Sequence, residues 1–285
     1  MPVKIPCGQC IGCRLEKSRQ WAMRCVCESS LWDYNIFLTL TYDNEHLPAD
    51  LSLHKDHLQK FMKRLRKEFG DGIRFYACGE YGNLNERPHY HLILFNFRLL
   101  DAEPIRYKPS PLFISPSLSK LWPFGFHSFG SVTFDSAAYV ARYCTKKLTG
   151  DLAEEHYHGR EPEFALMSRR PGIGHDWLQK YQSDVYPNDF VVMRGGLKLK
   201  PPTYFDNLYD KFTSNLDAVK VERRKKSLYA FKDFLNNDLN LGINSSYQSF
   251  LFSSGATEPF LHDSHCYSEK FQNVKLESKR RKEVC

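Results

Sequence analysis

Hydrophobic positions along this chain switch between a helical and a strand period, and the switches mark out its elements. Leu15, Ser18, Ala22, Cys25 and Ser29 recur at helical spacing in CRLEKSRQWAMRCVCESS, which predicts a helix. In NIFLTLTYD, Ile36, Leu38, Leu40 and Tyr42 alternate with Phe37, Thr39 and Thr41, the pattern of a strand covered on both faces. HLPADLS then reads as a turn and a cap, and Leu58, Phe61, Met62, Leu65 and Phe69 form the apolar stripe of a helix stopped at Gly70. IRFYACGE and HYHLILFNF are β-rich runs on either side of the turn formers YGNLNERP, so they predict a hairpin. Residues 101–121 are rich in Pro and Ser and predict a loop, whereas WPFGFHSFGSVTF predicts a bent strand with a glycine bulge. DSAA offers a Ser or Asp cap to a helix running into YVARYCTKK. The order β-α-β-β-loop-β-α predicts an α+β fold, a central antiparallel sheet flanked by helices.

Residues 151–210 carry a weaker pattern, in which DFVVMRGGLKLKPPTYF predicts a short strand and a proline turn. Beyond 211 the chain is helix-like and then polar, and partial disorder is expected over the last 40 residues. The expected division is a Cys-rich segment and helix over 1–30, a main domain over 31–210, and a mostly helical, partly disordered region over 211–285. No internal repeat is evident.

Composition narrows the function classes. The 285 residues carry a formal net charge of +7, with 21 Phe and 16 Tyr. Basic clusters lie at 63–67, 223–226 and 279–282, and a basic, aromatic-rich chain fits a nucleic-acid partner, although such runs are also ordinary solvated helix faces. No secretory signal opens the sequence and no stretch reaches the roughly 18 apolar residues of a membrane helix, so a soluble protein of the cytoplasm is expected. Nine cysteines are expected to be thiols there. Cys7, Cys10 and Cys13 have the C-x2-C-x2-C spacing of a zinc site, with Cys25 or Cys27 as a fourth ligand. Free thiols explain the same spacing equally well, and an iron–sulfur cluster is less supported because the usual fourth spacing is missing.

The sharpest chemistry lies in His89-Tyr90-His91. On a strand the two imidazoles share a face, and Tyr90 points away. Glu80 ends the preceding run, and a hairpin brings it beside them, giving a His, His, carboxylate set suited to a divalent ion such as Mg²⁺ or Mn²⁺. Taken alone, two such histidines are more often surface or hydrogen-bonded residues. Tyr139, Tyr143 and Lys147 fall on one helical stripe, with Lys146 beside it. An amphipathic helix packed on a sheet explains that stripe by itself, but with the metal set in the same chain two hydroxyl nucleophiles and an ammonium fit a tyrosine transesterase better. SRRPGIG, with Arg169 and Arg170, reads either as a phosphate-holding loop or as a plain basic turn.

Together these motifs resemble the HUH endonucleases, the rolling-circle replication initiators. FLTLTYD, RPHYHLILF and YVARYCTKK look like their three motifs in order. PCGQCIGC, CGEYG, LWPFGF, AAYVARYCTKK, SRRPGIG and RGGLKLKPP resemble, more closely still, the replication initiation proteins of microviruses, the gokushovirus-type single-stranded DNA phages. The likeness spans roughly residues 5–210. It implies an HUH, RRM-like domain over 31–210, metal ligands His89, His91 and Glu80, nucleophiles Tyr139 and Tyr143, and supporting Lys146 or Lys147. It further implies nicking of single-stranded origin DNA through a 5′-phosphotyrosine link that leaves a 3′-hydroxyl for a polymerase, with host helicase and polymerase as partners in the cytoplasm of an infected bacterium. Two rival classes fare worse. A histidine-triad hydrolase needs a third histidine where Ile93 stands, and a non-catalytic zinc-containing DNA-binding protein leaves HYH and YVARY without a role.

Overall fold

The structure is a computed structural model that describes residues 6–8, 10–82, 85–108, 110–133, 136–141, 151–186 and 188–238. It divides into two compact units, one formed by 18–179 and the other by 1–17 with 180–285.

The first unit is built on a seven-stranded sheet in the order β4-β5-β6-β1-β3-β2-β7, antiparallel at every pairing. Its strands are β1 (Asn35–Tyr42), β2 (Arg74–Tyr81), β3 (Pro88–Phe95), β4 (Glu103–Arg106), β5 (Leu112–Ile114), β6 (Gly125–Ser131) and β7 (Phe164–Met167). Helix α1 (Ile11–Ser29) precedes them, α2 (Lys55–Phe69) joins β1 to β2, and α3 (Pro116–Leu121) precedes β6. A helix described over 136–141, α4, follows β6, and α5 (Asp151–Tyr157) follows that.

The alternation in β1 places Ile36, Leu38, Leu40 and Tyr42 in the larger core, with Leu58, Phe61, Met62 and Leu65 of α2, Trp122, and Tyr90, Leu92 and Leu94 of β3. Burying an aliphatic or aromatic side chain of this kind is worth about 1.5–3 kcal/mol. The opposite face holds a second core, in which Tyr76, Cys78, Ile93 and Phe95 meet Cys25 of α1, Ala137 and Val140 of α4, and Ile173. The sheet is thus covered on both sides, which is why β1 and β3 are apolar on both faces.

Two expectations are corrected. Residues 101–121 are not a loop but two edge strands and a helix. Their prolines are tolerated because Pro104 sits in the outermost strand, where a missing N–H costs nothing, and Pro116 opens α3, where the N–H would be unpaired anyway. Ser136 is not the cap of α4, and Asp135 lies outside the described residues. Thr133 takes that place: its carbonyl accepts from Ala137 N–H at 3.0 Å, its Oγ1 from Ser136 N–H at 3.1 Å, and Ser136 Oγ accepts in return from Thr133 N–H at 2.7 Å.

In the second unit β8 (Val191–Val192) and β9 (Lys198–Leu199) form a pair where DFVVMRGGLKLKPPTYF predicted one short strand, and α7 (Thr203–Thr213) and α8 (Leu216–Asp238) form the helical region. Arg223 of α8 donates to both Asp189 and Asp206, and Asp206 also accepts from Tyr186 Oη at 2.6 Å. A guanidinium so enclosed is held by bidentate, charge-assisted bonds. Helix α6 (His175–Val185) crosses the boundary between the two units.

Candidate metal centre

Strand register builds the site. Across the sheet, Glu80, His89, Thr41 and Phe126 are successive cross-strand partners in one row, and Cys78, His91, Thr39 and Ser128 in the next. Side chains two apart on β3 share a face, so His89 and His91 stand together over Glu80. Glu80 and His91 are almost wholly buried, at 2% and 6% exposure.

The bonding is specific. His89 Nε2 lies 2.7 Å and His91 Nε2 2.9 Å from the same Glu80 oxygen, Oε1. The other nitrogens are also engaged: His89 Nδ1 is 3.0 Å from the Arg87 carbonyl and His91 Nδ1 is 3.0 Å from Thr39 Oγ1. A carbonyl only accepts, so His89 must carry its proton on Nδ1, and in the neutral ring Nε2 then bears a lone pair aimed at a carboxylate oxygen. Two acceptors cannot hold one another at that distance without a proton or cation between them. Two imidazoles held through Nδ1 and converging through Nε2 on a carboxylate form a donor set that could hold a metal ion. With no ion between them, burial works to raise the Glu80 carboxyl, but hydrogen bonds and charges from protonated His89 and His91 outweigh it and hold it down at about 2.

Tyr139 projects from α4 beside this centre. Its ring meets His91 edge-on at 5.3 Å between centroids and Phe37 at 6.2 Å, and the residue remains 39% exposed. Ala137, Val140 and Ala141 bury the other side of the helix. Tyr143, Lys146 and Lys147 lie outside the described residues.

Cys7, Cys10 and Cys13 place their sulfurs within 4.8 Å of one another, and Cys7 and Cys13 are 3.9 Å apart. The edge of a tetrahedral zinc–thiolate site is about 3.8 Å. Burial, followed by its cysteine neighbours, pushes the Cys13 thiol up to about 11. Cys25 is fully buried in the apolar core of its sheet face, and Cys27 is buried as well.

Arg169 and Arg170 are exposed at the head of the SRRPGIG loop. The loop is anchored by a residue that periodicity does not single out. Glu28 of α1, fully buried, accepts from Arg74 Nε at 2.5 Å and from Gly174 N–H at 2.7 Å, while Arg74 donates to the carbonyls of Pro171 and Gly172. Phe126 was likewise missed. It is 68% exposed and stands in the row of Glu80 and His89, about 10 Å from His89 across two strand spacings. Its only sequence signal is an aromatic at an outward position of a strand.

The sheet thus carries a buried histidine-carboxylate set with a tyrosine-bearing helix laid beside it. The family described as replication-associated protein ORF2/G2P matches residues 35–148, which span all three motifs. The chain is 35% identical over 256 residues to replication-associated protein VP4 of Bdellovibrio phage phiMH2K, covering 81% of this chain and 80% of that one. It is 36% identical over 240 residues to replication-associated protein ORF2 of Spiroplasma virus 4, covering 78% and 73%. It is also 30% identical over 230 residues to replication-associated protein ORF4 of Chlamydia phage 1, covering 76% and 56%. No solved structure matches the chain. The chain belongs to the phage replication-associated proteins of the microvirus type.

Proposed function

We propose that the protein initiates replication by nicking single-stranded origin DNA through tyrosine transesterification, with Glu80, His89 and His91 holding a divalent ion such as Mg²⁺ or Mn²⁺. The observation that carries this reading is the edge-on contact of Tyr139 with His91, which puts a phenol beside a buried donor set. The ion, when bound, supplies Lewis-acid stabilisation of charge on the scissile phosphate. Thr39 and the Arg87 carbonyl keep the imidazoles oriented toward it.

A tyrosine hydroxyl attacks phosphorus in line and its proton leaves. The bond to the 3′ oxygen breaks, and a 5′-phosphotyrosine and a free 3′-hydroxyl result. One phosphodiester replaces another, so the step is reversible and needs no nucleotide cofactor. At neutral pH only about 0.1% of an ordinary tyrosine is phenolate. Lys146 and Lys147 are assigned to favour that form, and Tyr143 to act as a second nucleophile; these three assignments rest on the sequence motif alone. Phe126 offers a face on which a base of the single strand stacks, and Arg169 and Arg170 contact its backbone.

The cysteine cluster is assigned a structural zinc ion, supported by its tetrahedral sulfur spacing. Among the described residues no helix is long and apolar enough to cross a membrane. The work is placed in the cytoplasm of the infected host, where a host polymerase and helicase extend the 3′ end.

Incubation with single-stranded origin DNA and Mn²⁺, followed by a denaturing gel, tests the reading. A protein–DNA adduct that disappears in the Tyr139→Phe/Tyr143→Phe variant is expected. Unchanged adduct formation by that variant would end the tyrosine mechanism, whereas no adduct from the parent protein would make a non-catalytic zinc-containing DNA binder the better description.

A further inference from the structure

The face of the sheet opposite the histidine-carboxylate centre carries a second set of donors that nicking does not use. His54, Asp56 and His57 stand at the entry to α2, and each offers a ligand atom within 4.8 Å of the others. His54 and His57 line an open cleft of about 470 Å³ with His46, Asp50 and Phe124. We propose that His54, Asp56 and His57 bind a second divalent transition-metal ion of the zinc class, separate from the ion of the nicking centre.

Outer-shell order supports this. Tyr90 Oη donates to the His54 carbonyl at 3.0 Å, so its own oxygen is left to accept from Tyr42 Oη at 2.7 Å. Tyr42, having spent its only proton, accepts from His57 Nδ1 at 2.8 Å. This relay sets the His57 tautomer, with the proton on Nδ1 and the lone pair on Nε2. His54 is arranged in the complementary sense: its Nε2 is 3.2 Å from Asp50 Oδ1, and its Nδ1 faces Asp56 Oδ1 at 4.0 Å. Each imidazole thus has one nitrogen tied to an oxygen and the other left for a ligand, which is the support a metal-bound histidine receives. The edge of a tetrahedral nitrogen–oxygen zinc site is about 3.3 Å. A turn of the exposed Asp56 side chain closes the remaining gap.

Position adds a second argument. His54 is the N-cap of α2, yet its side chain makes no capping bond. A Ser, Thr, Asp or Asn at that place would stabilise the helix by capping it. The chain forgoes this and ties the ring to Asp50 instead.

The opposing effects are smaller. The helix N-terminus disfavours a cation weakly, and Asp50 and Asp56 answer it with two carboxylates. Asp56 already pairs with Lys60 at 2.8 Å, but both side chains are more than half exposed, and such a pair contributes little. Two imidazoles with one carboxylate accept Zn²⁺, Co²⁺ or Ni²⁺, and since the nicking centre offers the same donor types the two ions are told apart by the variants below.

Equilibrium dialysis of the full chain against low-micromolar Zn²⁺, with elemental analysis, tests the site. Asp56→Ala alters an exposed side chain and His54→Gln a poor cap, so both variants fold, and each should hold one zinc fewer than the parent. Tyr42→Phe, which removes only the outer support, should weaken that ion's binding by about 10–100-fold. The His89→Ala/His91→Ala variant should keep this ion, so failure of the nicking reading leaves the inference standing. Unchanged zinc content and affinity in both Asp56→Ala and His54→Gln would overturn it, leaving the stacked His54, His57 and Phe124 rings as a plain lid on the core.

Discussion

At the scale of single residues, the centre depends on which nitrogen of each ring is engaged. His91→Ala removes one of the two Nε2 atoms that converge on Glu80 Oε1. Losing one electrostatic contact of a transition state costs about 10²–10³ in rate, so adduct formation with Mn²⁺ should fall at least that far while the circular dichroism spectrum stays native. Near-parental rates in this variant would remove the centre from the chemistry. A different histidine sets a pH dependence. His127 Nε2 accepts from Ser115 N–H at 2.9 Å, and burial, opposed by Asp101, holds its pKa below the ordinary value. A neutral ring favoured by folding contributes stability in full above the unfolded value of about 6.5, and that stability is lost as pH falls through the lower folded value. The parent's thermal midpoint should therefore drop more steeply between neutral pH and mild acid than that of His127→Gln. Parallel curves would show that His127 titrates alike in both states. HYH and the carboxylate before it were legible because a strand's period of two is rigid. The tautomers were not, since they depend on Thr39 from another strand and on a backbone carbonyl.

At the scale of elements, the junctions between helices and sheet are held by a few polar anchors. Glu28 joins α1, β2 and the SRRPGIG loop through Arg74 and Gly174. Breaking a buried pair of this kind costs about 3–5 kcal/mol, so Glu28→Ala should lower unfolding stability by that amount in urea titrations. A change under 1 kcal/mol would mean that Arg74 finds another partner. Gly125 opens β6 at φ +147, and a Cβ there would run into the backbone of Asp43, Tyr42 and Thr41. Gly125→Ala therefore has to move a strand end, and the soluble yield and thermal midpoint should both fall. The amphipathic pattern predicted α1 and α2 correctly. It failed over 101–121 because prolines at a sheet edge and at a helix start resemble loop prolines in sequence, and only pairing with β6 makes the first two segments strands.

At the scale of the whole molecule, a net charge of +7 on a chain with exposed aromatics fits the proposed binding of single-stranded DNA. Affinity for a single strand should fall linearly in log–log form with salt, with a slope of about −0.7 per phosphate neutralised. Tyr139→Phe/Tyr143→Phe should leave that slope unchanged while abolishing the adduct, and Arg169→Ala/Arg170→Ala should flatten it. A slope unmoved by the arginine variant would take the SRRPGIG loop out of the interface. By itself the sequence determined the α+β order, the sheet covered on both faces, the histidine pair and the helix that carries Tyr139, because the periods of 2 and 3.6 and the turn residues act locally. Tertiary structure alone decided the rest. Strand register aligned Glu80 with His89 and Thr39 with His91, α4 set Tyr139 against His91, the buried Glu28 tied three elements together, and Tyr90 turned its hydroxyl to the opposite face to orient His57 through Tyr42. Each of these contacts joins residues far apart in the chain, and a one-residue slip in register would send every strand side chain to the other face.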